Sequence, residues 1–142
     1  MNSILRTLLV FVLLAVAGFA ADFAETKKKA EAGDAEAQYN LGVLYDNGMG
    51  VPKDFAESAK WWRLAAEQGY ANAQTNLGDM YYDGTGVPKD LVQAHVWWNI
   101  AGANGHEDAK KKLEFIEMQM TDSQKEKAMD LARDLFAKLP KG

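Results

Sequence analysis

The chain opens with unbroken apolarity and then changes to helical spacing. From Leu8 to Ala21 no side chain is polar. Beyond Asp22, Ala37, Leu41, Leu44 and Tyr45 stand at i, i+4, i+7 and i+8, one stripe of an α-helix. Ala73, Leu77, Met80 and Tyr81 restate that stripe further along. Both stripes stop at an Asn-Gly or Asp-Gly pair, Asn47-Gly48 and Asp83-Gly84, where glycine ends a helix in the left-handed conformation at little cost. Gly50 and Gly86 continue the turn, and Pro52 and Pro88 keep the helix from resuming. A second kind of stripe follows: Ser58, Trp61, Trp62, Ala65 and Ala66, then Ala94, Trp97, Trp98, Ala101 and Gly102. These helices open with Asp54-Phe-Ala-Glu57 and Asp90-Leu-Val-Gln93, an acceptor at the N-cap with Glu or Gln three residues on. Gly69 and Gly105 end them.

The stripes are two copies of one unit. Residues 33–68 and 69–104 are identical at 17 of 36 positions, including Gly-Val-Pro-Lys-Asp at 50–54 and 86–90. A period of this length means one supersecondary unit stacked on itself, which builds a surface for interaction. Gly42 and Gly78, in the middle of the first helices, each cost about 1 kcal/mol relative to alanine; their shared phase marks a close helix crossing. The tryptophans at core phase read as packing. Asp22-Phe-Ala-Glu25 echoes the opening at 54–57, so residues 22–32 are expected to form an N-terminal capping helix. After Gly105 a third first-helix begins with Ala109, Leu113 and Ile116, but without the glycine turn. Thr121-Asp-Ser-Gln124 then opens a last helix carrying Ala128, Leu131, Ala132, Leu135, Phe136 and Leu139 on one side, which seals the stack. The count is seven helices and no strand, an all-α chain.

Residues 1–21 read as a secretory signal peptide. Arg6 precedes the apolar run, small residues (Ala15, Ala17, Gly18, Ala20, Ala21) follow, and cleavage is expected after Ala20 or Ala21. The run is shorter than the roughly 20 residues a bilayer span needs; the alternative is an uncleaved anchor in the inner membrane. The absence of cysteine rules out a lipidated leader and any disulfide, so the apolar core alone must hold the fold. Net charge is −4, and removal of Arg6 with the leader leaves 15 basic against 20 acidic residues. No basic footprint points to nucleic acid. Lys27, Lys28 and Lys29 lie among Glu25 and Glu31 and read as a solvated helix face.

Catalytic signals are lacking. There is no Gly-x-Ser-x-Gly elbow and no nucleophilic cysteine. The turn from Gly48 to Asp54 superficially resembles a phosphate loop, yet it follows a helix and carries proline where N–H groups are needed. His95 and His106 are the only histidines, and a zinc site wants three or four ligands. His106, Glu107 and Asp108 point apart on a helix and instead suit its N-terminus. No spacing singles out a carboxylate pair. The expectation is no catalytic residue, no metal and no cofactor.

The string Ala-x-Ala-Gln-x-Asn-Leu-Gly-x-x-Tyr-x-x-Gly-x-Gly-Val-Pro-Lys-Asp, followed by Trp-Trp-x-x-Ala and a closing glycine, resembles the Sel1-like repeat, a branch of the tetratricopeptide-type α-solenoids. The resemblance implies a short right-handed solenoid of antiparallel helix pairs with helical caps. Its parts are a signal peptide 1–21, a capping helix 22–32, repeats 33–68 and 69–104, and a degenerate third repeat with a C-terminal capping helix at 105–142. It also implies an exported, non-catalytic adaptor for a protein or peptide in the cell envelope, touching membrane only through an uncleaved leader. The alternative is a small-molecule or cell-wall-fragment binder or hydrolase of the secreted type, although the cysteine pairs of that branch are missing. Self-association into a homodimer through end helices is a third reading. In such a stack the concave wall is formed by Glu36, Tyr39, Val43 and Asp46, then Asn72, Thr75, Asp79 and Tyr82, then Asp108, Lys111 and Phe115, with Asn40 and Asn76 at its edge. That mixture suits an extended peptide or a partner helix, with tyrosine giving contact area and a hydroxyl.

Overall fold

The computed structural model describes residues 2–140; Met1 of the expected leader and residues 141–142 of the C-terminal cap lie outside the described residues. Among the described residues there are seven helices and no strand: α1 (Ser3–Glu31), α2 (Ala35–Asn47), α3 (Phe55–Glu67), α4 (Ala71–Asp83), α5 (Leu91–Ala103), α6 (Glu107–Glu117) and α7 (Asp122–Lys138). Helices α2 with α3 and α4 with α5 form the two repeated hairpins, and each element packs on its sequence neighbour through α6. The caps are those read from the sequence. Asp54 and Asp90 each accept the backbone N–H three residues on, at 3.0 Å, and Thr121 with Gln124 closes a reciprocal capping box at 3.2 and 2.9 Å.

The mid-helix glycines are where the hairpins close. A Cβ at Gly78 would stand 2.5 Å from Cδ1 and Nε1 of Trp98, and one at Gly42 would collide with the same atoms of Trp62. Each indole sets its Cδ1 and Nε1 atoms against the glycine and donates Nε1–H backwards, Trp62 to the Tyr39 carbonyl and Trp98 to that of Thr75, both at 3.1 Å. Trp62, Trp97 and Trp98 are buried beside Leu77, Ile100 and Ile116; Trp61 is half-buried in a smaller cluster with Leu41 and Ala30.

The N-terminal helix differs from expectation. The anticipated capping helix at 22–32 is the last part of α1, which runs unbroken through the apolar leader. Its register follows the 36-residue period, not the Asp22-Phe-Ala-Glu25 echo. Gln38 Nε2 donates to the Ala30 carbonyl (3.2 Å) as Gln74 Nε2 does to Ala66 (3.1 Å). Similarly, the Gly50 turn abuts the Phe19 carbonyl as the Gly86 turn abuts that of Phe55. Both turn glycines hold positive φ, 73° and 71°, and neither leaves room for a side chain. Lys27 and Lys29 pair with Glu31 and Glu25 on an exposed face, as their spacing suggested.

Helix α7 also departs from a simple end cap. It packs chiefly on α5, and its end reaches the Gly69 turn, where the Pro140 carbonyl lies 3.6 Å from the site of a Gly69 Cβ. Ala128 and Ala132 are buried and Leu135 and Leu139 join the core, but Leu131 and Phe136 remain exposed.

Candidate functional site

Successive first helices α2, α4 and α6 present a groove with two adjoining hollows. One, of about 270 Å³, is walled by Asp46 of α2, Asn76, Asp79, Met80 and Asp83 of α4, and Thr85, over the edge of Trp62. Its neighbour, of the same size, is lined by Tyr82, Phe115 and Lys112 over Trp98, and shares Asp79 and Asp83 with the first. The shared wall exists because residues 79 and 83 lie one helical turn apart on α4.

Asp79 organises the floor. Its carboxylate accepts the Trp98 Nε1–H at 3.0 Å and two bonds from Lys112 Nζ at 2.6 Å. Lys112 also reaches Asp108, at 3.4 Å, and lies over the Trp98 ring. Desolvation pushes the Asp79 carboxyl above the ordinary aspartate value, outweighing the opposing pull of Lys112 and the Trp98 N–H. Desolvation works against the Lys112 ammonium, but the bond and charge of Asp79, helped by Asp108, raise it above the ordinary lysine value. Tyr82 leans on Trp98 and Phe115, with ring centroids 5.6 and 6.1 Å away, and Lys89 lies over its face. The result is an acidic rim over an aromatic base.

The structure therefore gathers Asp46, Asn76, Asp79, Tyr82 and Phe115 into one groove, with Asp108 reaching it through Lys112. Other expected members stand elsewhere. Glu36 and Asn40 line a separate polar hollow with Thr26 and Lys29 of α1; Thr26 occupies, one period earlier, the place of Trp62, so that hollow lacks an aromatic base. Tyr39 is half-buried between Trp62 and Tyr70, and Val43 packs against the core. Thr75 is buried and its hydroxyl donates to the Ala71 carbonyl at 3.1 Å, so it lies beneath the groove. Asn72 bonds His106, whose Nδ1 accepts the Ala109 N–H and whose Nε2 therefore donates to the Asn72 oxygen at 3.0 Å. Lys111 is exposed and lines none of these hollows. His95 is buried in α5 and meets Glu117 at 3.0 Å.

Sequence reasoning missed Asp83, Lys112 and the two indole edges. In the first repeat the counterpart of Asp79 is Val43, and that of Lys112 in the second is Asn76, so the repeat itself carried no signal for this ion pair.

The family model described as Sel1 repeat matches residues 35–70 and 71–106. A protective antigen present in uropathogenic Escherichia coli strains, displaying an SLR fold, is similar over 82% of this chain at 37% identity with a TM-score of 0.79. A Sel1 repeat protein from Oxalobacter formigenes is 44% identical over 63% of this chain and 67% of its own, with a TM-score of 0.62. The chain spans a quarter of the length of the E. coli antigen chain. Among curated proteins none matches this sequence significantly.

Proposed function

Because the chain belongs to the Sel1 repeat family, whose members typically serve as protein-interaction scaffolds, we propose that it is a non-catalytic adaptor of the cell envelope. The apolar segment of α1 directs it to the membrane, and the repeats work outside the cytoplasm. The groove across α2, α4 and α6 takes an extended segment of a protein partner carrying lysine or arginine beside an apolar residue. One observation carries this reading: Asp46, Asp79 and Asp83 converge on a hollow based on Trp62 and Met80, and that hollow runs into one floored by aromatic rings. Lys112 engages only Asp79 of these three acids. A basic side chain from the partner finds carboxylates at the rim and lays its apolar stem on the aromatic base, an arrangement that favours cations.

A pull-down from envelope extract tests this. Asp79→Ala with Tyr82→Ala should abolish recovery of the partner, and Asp46→Asn with Asp83→Asn should weaken it in a salt-dependent way. Undiminished recovery by both double variants, with unchanged circular dichroism, would remove the groove as the binding site.

A further inference from the structure

We propose that helix α1 is retained as a membrane anchor and seats the glycine-turn edge of the repeats against the lipid surface. The reading stands apart from the groove and uses none of its residues.

The turn of the second repeat docks on the first residue of α3: Gly86 abuts the carbonyl of Phe55. The turn of the first repeat docks in the same way on α1, where Gly50 abuts the carbonyl of Phe19 and a Cβ there would lie 3.1 Å from that of Phe23. Phe19 is one period before Phe55. It is thus part of the repeat architecture, and cleavage after Ala20 or Ala21 would remove it. Those two residues are in the middle of a continuous helix, whereas proteolysis favours exposed, irregular chain. Just beyond, the Phe23 ring meets Tyr45 edge-on with centroids 5.6 Å apart, fastening α1 to α2.

The exposed part of α1 has the dimensions of a bilayer span. Its most apolar 18-residue window has mean hydropathy 2.4 and no buried residue. At 1.5 Å per residue, Ser3–Ala21 extends about 28 Å, close to the roughly 30 Å hydrocarbon thickness. Counting from Leu8 alone understates the span, because Ile4 and Leu5 are also apolar and exposed. Arg6 extends its guanidinium toward the interface while its stem stays in the apolar layer.

Phe19 then lies at the boundary of the hydrocarbon, and the Gly50 turn that rests on it lies there too. The turn edge carries Met49 and Phe55, 40% and 38% exposed, with Lys53 over the Phe55 ring. Apolar tips beside an ammonium suit the zone of lipid phosphates. The far ends of α3 and α5 point away from the membrane.

The full chain, expressed with a C-terminal tag, should keep its whole mass and stay in carbonate-washed membranes. A species beginning at Ala21 or Asp22 in the soluble fraction would overturn retention of the anchor. The chain has no cysteine, so Met49→Cys and Glu67→Cys each accept a single bimane label. In phosphatidylcholine vesicles containing nitroxide lipid, fluorescence loss should be greater at position 49 than at 67. Equal loss at both positions would overturn the seating of the turn edge.

Discussion

Replacing Gly78 by alanine tests how the hairpins close. In an ordinary helix interior the change stabilises by about 1 kcal/mol. Here the new Cβ would stand 2.5 Å from Cδ1 and Nε1 of Trp98 and 3.1 Å from its Cε2, so the indole must move by about an ångström to regain normal contact. Overpacking of this kind costs about 1–3 kcal/mol. Displacing the ring also stretches its bonds to the Thr75 carbonyl and the Asp79 carboxylate, worth about 1 kcal/mol each. The net loss is about 2 kcal/mol, or about 6–10 °C in Tm for a domain of this size. Gly102 supplies the control of opposite sign. A Cβ there meets Cγ of Lys110 at 3.0 Å, with the Lys110 backbone N and Cα at ordinary contact distances of 3.7 and 3.8 Å, and the equivalent residue of the first repeat is Ala66. Gly102→Ala should therefore gain about 0.5–1 kcal/mol. Thermal unfolding followed by circular dichroism reads both variants. A Gly78→Ala protein melting at or above the wild type would refute the crossing argument.

Trp62→Ala and Trp98→Ala each remove a buried indole and should cost about 3–5 kcal/mol, much of the roughly 5–15 kcal/mol such a domain holds; cooperative thermal melting should be largely lost, and wild-type melting would contradict the packing. Asp79 has a raised folded pKa, so its contribution is fully present below the ordinary aspartate value of 3.8 and is lost as pH rises through the folded value. Urea unfolding should accordingly show wild type gaining on Asp79→Asn as pH falls from neutral towards 4; a gain by the variant would reverse the assignment. Lys112 is also raised, so from neutral pH upwards wild type should lose ground to Lys112→Met as pH climbs past the ordinary lysine range, and an unchanged difference there would contradict the pair. Thermal-shift screening against peptidoglycan fragments and β-lactams should give no shift, and a saturable shift would argue for a small-molecule site.

The repeats were legible because local chemistry and period agree. Gly48 and Gly84 end helices in the left-handed conformation (φ 66° and 73°), Asp54 and Asp90 cap the next ones, and Gly42 and Gly78 mark the crossings their shared phase suggested. The N-terminal register was misread because Asp22-Phe-Ala-Glu25 mimics a helix opening at an offset of 32 from residues 54–57. A capping pattern is only a local preference, and the backbone of Phe19 under Gly50 fixes the true spacing. The course of α7 was hidden because its apolar stripe names a buried face but not the helix that buries it. In the groove, spacing placed Asp46, Asp79 and Tyr82 on one wall. It could not show that Thr75 is buried beneath the groove, nor that Lys112 crosses to Asp79, since both depend on how separate helices approach one another.

Site-specific photocrosslinking tests the central claim, that the first helices of nested hairpins form the partner-binding groove. A photoreactive benzoylphenylalanine at Tyr82, in the groove, is compared with one at Leu64, exposed on α3. The account predicts a partner adduct from position 82 and none from position 64. An adduct from position 64 alone would contradict it.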